Sequence, residues 1–254
     1  MAPPIHPLDA TRKLSEDYAR YLRTIYFFRD EELRSQFQRV LGAPDFLVRG
    51  PSLEAAPPFR MGRSTGGLVE AGVLHPGFRQ LCSPALPYDR PLYLHQDQAI
   101  TKVTAQNRNV VVATGTGSGK TETFLIPIFD HLLRQREAGI LQRPGVRALL
   151  LYPMNALAND QLKRLRGLLA RFPDITFGRY TGETKEDQKD AEEQFRQQFR
   201  DDPLLPNERI SRVAMRESPP HILITNYAML EYLLLRPRDS EFFDGDPGQF
   251  WRFI

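Results

Sequence analysis

Apolar residues recur along the first forty positions at the three- and four-residue spacing of helices. Leu14, Tyr18, Tyr21, Leu22 and Ile25 share one face, and Leu33, Phe37, Val40 and Leu41 another, so two helices are predicted within residues 9–41. Asp30 before Glu31 and Glu32 supplies a cap and an acidic first turn, and Gly42 with Pro44 stops the second helix. Residues 43–92 change character: Pro and Gly interrupt the pattern and leave short pieces such as GLVEAGVL and GFRQL.

From residue 91 onward the two periods alternate. PLYLHQDQAITKVTA reads as a short apolar turn entering an amphipathic helix, residues 110–113 as a strand, and TETFLIPIFDHLLRQ as a helix. Residues 146–152 (VRALLLY) and 221–225 (HILIT) are nearly continuous apolar runs, the mark of strands buried on both faces, and ITFGRY adds another. ALANDQLKRLRGLLARF and NYAMLEYLLLR read as helices between and after them. KEDQKDAEEQFRQQFR reads as a charged, solvated helix, and residues 201–220 as irregular. Strands alternating with helices predict an α/β fold with a mainly parallel sheet and right-handed crossovers. Ligands then gather outside the carboxyl ends of the strands. The predicted organisation is a helical and Pro/Gly-rich accessory region, 1–90, followed by the α/β domain, 91–254.

Composition narrows the class. The chain has 254 residues, 41% hydrophobic and 26% charged, which describes a folded globular protein and not a disordered one. No apolar run approaches the ~18 residues of a membrane span, and MAPPIHPLDATRK lacks a signal-peptide core. Cys82 stands alone, so neither an internal disulfide nor a cysteine zinc cluster is available, and a reducing cytoplasm is the expected location. The net charge of +3 permits a nucleic-acid partner without requiring one. Tyr21, Tyr26, Phe27 and Phe28, with Arg23 and Arg29 among them, could stack on bases, although such stripes more often form core.

The chemistry concentrates in NVVVATGTGSGKTE, residues 109–122. Gly115, Gly117 and Gly119 let backbone N–H groups turn inward around an anion, and the unpaired N–H groups of the next helix add to that field. Lys120 would reach the β- and γ-phosphates, and the Thr121 hydroxyl would hold Mg²⁺. Thr114 stands where the general phosphate-loop pattern has Gly. Upstream, the Gln96 amide carries the donor and acceptor needed at adenine N6 and N7, or else caps a helix.

The series LHQ, ATGTGSGKTE, LLYPMNALANDQ, YTGET and ILITNYAML, in this order and spacing, resembles the first RecA-like domain of superfamily-2 DEAD/DEAH-box helicases, especially large bacterial ones with a helical region before the motor. The resemblance covers residues 91–254, and the family's Thr variant of the loop accommodates Thr114. It implies ATP and Mg²⁺ as cofactors, with Gln96 at the adenine edge and Thr116, Gly117, Ser118, Gly119, Lys120, Thr121 and Glu122 around the triphosphate and metal. Lys120 and Thr121 would be the catalytic pair. It places Pro153, Met154, Asn155, Ala156, Thr181, Gly182, Glu183, Thr225 and Asn226 along a nucleic-acid strand, DNA before RNA. The family's acidic D-E-x-H or D-E-x-D motif and its second RecA-like domain are not found. Residues 250–254 resemble the start of the strand that would carry that motif, so the expectation is an incomplete first motor domain, inactive alone. Two other readings share these features: a non-motor ATP-binding module, and the first domain of a restriction or remodelling translocase.

Overall fold

The computed structural model describes residues 6–50, 58–84, 86–200 and 202–254. Two compact units divide the chain, Met1–Pro58 and Phe59–Ile254. The first contains α1 (Pro7–Ile25) and α2 (Glu31–Leu41). Asp30 caps α2 as the sequence predicts, accepting the Leu33 N–H at 2.9 Å, and the helix ends at Gly42. The aromatic run is split between roles. Tyr26 and Phe28 meet Phe37 edge-on, at 6.1 and 5.2 Å between centroids, and Tyr26 is exposed together with Tyr18, Tyr21 and Phe27.

The second unit begins with β1 (Met61–Ser64), α3 (Thr65–Glu70), α4 (Phe78–Leu81), β2 (Pro91–Tyr93) and α5 (Leu94–Thr104). β1 pairs antiparallel with β2, and Arg63 donates to Asp97 on α5 at 2.6 Å. This compact unit therefore begins at Phe59. The reason is burial: Leu68, Leu74, Phe78, Leu81 and Leu86 join one core with Ile100, Ile126 and Phe129.

The chain continues through α6 (Lys120–Glu137), β3 (Ala148–Tyr152), α7 (Asn155–Leu169), β4 (Phe177–Arg179), α8 (Gln188–Gln198), β5 (Glu208–Arg209), α9 (Arg212–Glu217), β6 (Ile222–Asn226) and α10 (Tyr227–Leu235). A 3-10 helix, Pro237–Phe242, and α11 (Gly245–Gly248) follow. The four strands lie in the order β3-β6-β4-β5 and all pair in parallel, which makes the unit α/β as predicted. Leu150 faces Ile224, and Tyr152 faces Asn226, so the strands end together. The stretch read as irregular, 201–220, holds β5 and α9. Both are too short for a period to show, and Ser211 caps α9 by accepting the Ala214 N–H.

One strand prediction fails. Residues 110–113 form no strand, and Val111 is 96% exposed. A strand needs a ladder partner, and the free edge of β3 is taken instead by Phe253, whose carbonyl accepts the Leu149 N–H at 2.9 Å.

Two buried bases mark the end of the core near β3 and β6. Arg147 is fully buried, stacks 4.0 Å over Phe250 and donates to the Gln135 side chain and the Gly145 carbonyl. Burial pushes its guanidinium down to about 10. His221 accepts the Thr176 N–H at Nδ1, 3.0 Å, and burial, followed by the charge of Arg147, pushes it down to about 4 from 6.5. The folded state thus keeps His221 neutral where the unfolded chain takes a proton. Stability is complete above about pH 6.5 and declines as pH falls toward 4, by about 3 kcal/mol in total at ~1.4 kcal/mol per unit. Urea midpoints measured between pH 7 and 4.5 should show that slope, and His221→Gln should flatten it.

Candidate nucleotide site and nucleic-acid face

The phosphate loop enters α6 through two left-handed glycines, Gly117 at φ 73° and Gly119 at φ 69°. A Cβ at Gly119 would collide with the side-chain ends of Gln96 and Glu122, which would have to shift. Gly119→Ala adds left-handed strain of ~1–2 kcal/mol to that collision. It is expected to weaken Mg·ATP binding by roughly tenfold, readable by calorimetry.

Inside the loop the Thr114 and Ser118 hydroxyls are 2.6 Å apart, so the Thr that replaces the usual Gly clasps the loop across its neck. Lys120 folds back, and its ammonium donates to the Thr114 and Gly115 carbonyls at 2.9 and 2.7 Å. Thr116 is exposed, Ser118 is fully buried, and Thr121 is half-buried. Lys120 and Thr121 open onto a cleft of ≈ 680 Å³ that is also lined by Val110, Val112, Leu151 and Phe253. That is within the ~300–1,000 Å³ typical of ligand sites. For a divalent cation the Thr121 hydroxyl on this cleft is a hard oxygen ligand, and among the described residues there is no cluster of three His, Cys, Asp or Glu. This suits Mg²⁺, which usually completes its shell with phosphate oxygens and water.

The base side of the loop is built from α5. Phe59, Tyr93 and His95 pack together with centroids 5.0–5.7 Å apart, and His95 Nε2 bonds the Ser118 carbonyl at 2.9 Å. Gln96 is buried. Its Oε1 accepts the Tyr93 N–H at 2.7 Å, closing a capping box, while Nε2 donates to the Gly119 carbonyl at 2.8 Å and more weakly to Glu122 at 3.4 Å. Gln96 thus takes the capping role at the start of α5 and also ties that helix to the phosphate loop. Glu122 accepts a hydrogen bond from Arg164 of α7 at 2.6 Å. Arg164 carries no local sequence signal, because 42 residues separate the partners.

At the carboxyl ends of β3, β4 and β6 three loops form one face. Asn155, the first residue of α7, donates to Glu183 at 2.9 Å and accepts from Asn226 at 2.7 Å. Arg179 bonds both Glu183 and Asn159. Pro153, Met154, Ala156, Gly182 and Glu183 are exposed, and Asn155 and Asn226 half-buried. Thr181 and Thr225 differ from the expectation. Both are fully buried, and the Thr225 hydroxyl donates to the Tyr180 carbonyl at 2.6 Å, so these side chains hold loops instead of reaching a ligand. The Asn226 carbonyl oxygen also caps α10, accepting the Met229 N–H.

Known proteins resemble this chain. A family model described as DEAD/DEAH box helicase matches residues 93–244. Druantia protein DruE of Escherichia coli (strain UMEA 4076-1) is 37% identical over 194 residues, covering 69% of this chain and 10% of DruE. ATP-dependent helicase Lhr-Core of Methanothermobacter thermautotrophicus is 35% identical over 136 residues, covering 54% of this chain and 14% of that protein. The chain thus spans about a tenth to a seventh of the length of these relatives. Among solved structures, the DUF1998 helicase MrfA bound to DNA and AMPPNP is similar at a TM-score of 0.43 and 21% identity, over 74% of this chain and 21% of that one. With more than half of its residues matched by the family model, the chain belongs to the DEAD/DEAH box helicases.

Proposed function

We propose that residues 59–254 act as the first motor domain of a helicase, binding Mg·ATP at residues 116–121 and one nucleic-acid strand across the loops after β3, β4 and β6. The observation that carries this reading is the Asn155–Glu183 and Asn155–Asn226 network, which joins three loops into one surface at the start of α7, the helix whose Arg164 bonds Glu122 in the first turn of α6. Exposed loop N–H groups and small polar side chains suit phosphate oxygens, which position a strand without reading its sequence. DNA is the preferred partner. Lys120 takes the β- and γ-phosphates, Thr121 one Mg²⁺ position, and Gln96 the edge of the base. In the whole protein, hydrolysis coupled to unwinding or translocation would draw on an acidic motif and a second RecA-like domain. The cytoplasm is the proposed location.

Fluorescence anisotropy of a labelled single strand tests the face. Asn155→Ala combined with Asn226→Ala removes two polar contacts at ~1 kcal/mol each and should weaken binding roughly tenfold or more, equally for different sequences. Unlabelled DNA and RNA competitors rank the two partners. Binding that ignores both substitutions would overturn the assignment of the face.

A further inference from the structure

A carboxylate belongs to the face proposed for a polyanion. Glu183 shares that face with Asn155 and Asn226, and its side chain is 47% exposed. Both of its oxygens are engaged: Oε1 accepts from Asn155 Nδ2 and Oε2 from Arg179 Nη1, each at 2.9 Å. The two donors are held in place without it. The Met229 N–H fixes the Asn226 amide by donating to its Oδ1, and Asn226 Nδ2 donates to Asn155 Oδ1, which leaves Asn155 Nδ2 toward Glu183. Arg179 ends β4 with its side chain 11% exposed, and the same Nη1 also donates to Asn159 of α7. A guanidinium and an amide aimed at the two oxygens of one anion suit carboxylate and phosphate alike.

We propose that Arg179 Nη1 and Asn155 Nδ2 form a subsite for one phosphate of the bound strand, and that the Glu183 carboxylate occupies it as a stand-in until that phosphate displaces it. This rests on the strand-binding reading and goes beyond it, adding Arg179 as a contact and giving Glu183 an opposing role. The exchange is favourable because a partly exposed ion pair four residues apart is weak, whereas the arriving phosphate is tethered to neighbours already bound along the loops. Glu183 then turns into water. Affinity is damped by the pair that must break. The salt response is damped as well, since the cation expelled from the phosphate by Arg179 is offset by the one the freed carboxylate attracts.

The test is fluorescence anisotropy of a labelled oligothymidylate across a salt series. It compares wild type, Glu183→Ala, Glu183→Gln and, in the Glu183→Ala background, Arg179→Gln and Arg179→Lys. Glu183→Ala should tighten binding roughly two- to fivefold, the worth of an ion pair that no longer has to break. It should also steepen the slope of log K against log salt by about 0.7, the contribution of one phosphate on a single strand. Glu183→Gln should move both readings in the same direction. Adding Arg179→Gln should cancel the gain and the extra slope, whereas Arg179→Lys should keep the slope. Binding that weakens or stays level in both Glu183 variants overturns the inference and makes Glu183 a brace of the face. A gain that persists with Arg179→Gln overturns it too, because loss of any acidic charge would then do the same. Wild-type binding that ignores Asn155→Ala with Asn226→Ala overturns the face itself and the inference with it.

Discussion

Lys120→Ala should weaken Mg·ATP binding by at least about 100-fold while leaving the melting temperature within a few degrees of wild type. The Lys120 ammonium has no carboxylate partner within the phosphate loop, only the Thr114 and Gly115 carbonyls at 2.9 and 2.7 Å. Under the proposed function, those contacts are exchanged for phosphate oxygens when a nucleotide binds. Hydrogen bonds to charged groups are worth ~1.5–3 kcal/mol each, so losing two costs ~3 kcal/mol or more, which is two decades in affinity. The folded chain loses little in the same substitution, since one of the two bonds is solvent-exposed. Calorimetric titration beside a thermal melt separates the two effects. A loss of affinity that merely follows a loss of stability would argue against a direct phosphate contact.

The largest effect on stability is expected far from the nucleotide, in Arg166→Ala. Arg166 on α7 bonds Glu208 of β5 and the Pro203 carbonyl, and its guanidinium packs over the adjacent rings of Phe195 and Phe199 at 4.7 and 5.0 Å. Both charged side chains are almost fully buried. Burial raises the Glu208 carboxyl to about 7, with Arg166 opposing that rise. Removing the arginine strands the carboxylate, which costs ~3–5 kcal/mol and, for a unit of this size, roughly 10 °C or more in melting temperature. The penalty should shrink as pH falls and Glu208 takes up a proton, and Glu208→Gln should relieve part of it at neutral pH. A loss below ~1 kcal/mol at pH 8 would show that the pair is hydrated and not buried.

Much of the α/β unit was legible because its signals are local. The continuous apolar runs of β3 and β6 have no polar face to present, and the glycine loop followed by Lys-Thr and a helical period defines α6 within twenty residues. The illegible parts depend on partners distant in the chain. Residues 110–113 have strand composition, yet the edge they would pair with is bridged by Phe253. Residues 59–90 look like accessory sequence until Phe78 and Leu81 are seen buried beside Phe129. At the site, Lys120, Thr121 and the loop glycines announce themselves, whereas the Arg164–Glu122 bond spans 42 positions with no motif to mark it. Thr181 and Thr225 look like ligand contacts in sequence, but a small hydroxyl serves equally well to tie off a buried carbonyl or amide. The structure gives them that duty.

The most direct test of the account is a crystal structure of the chain with Mg²⁺ and a non-hydrolysable ATP analogue. The triphosphate is expected within residues 116–121, with the Lys120 ammonium moved from the Thr114 and Gly115 carbonyls onto phosphate oxygens and the Thr121 hydroxyl on the metal. A triphosphate bound elsewhere, or a Lys120 still folded onto those carbonyls beside a bound nucleotide, would contradict it.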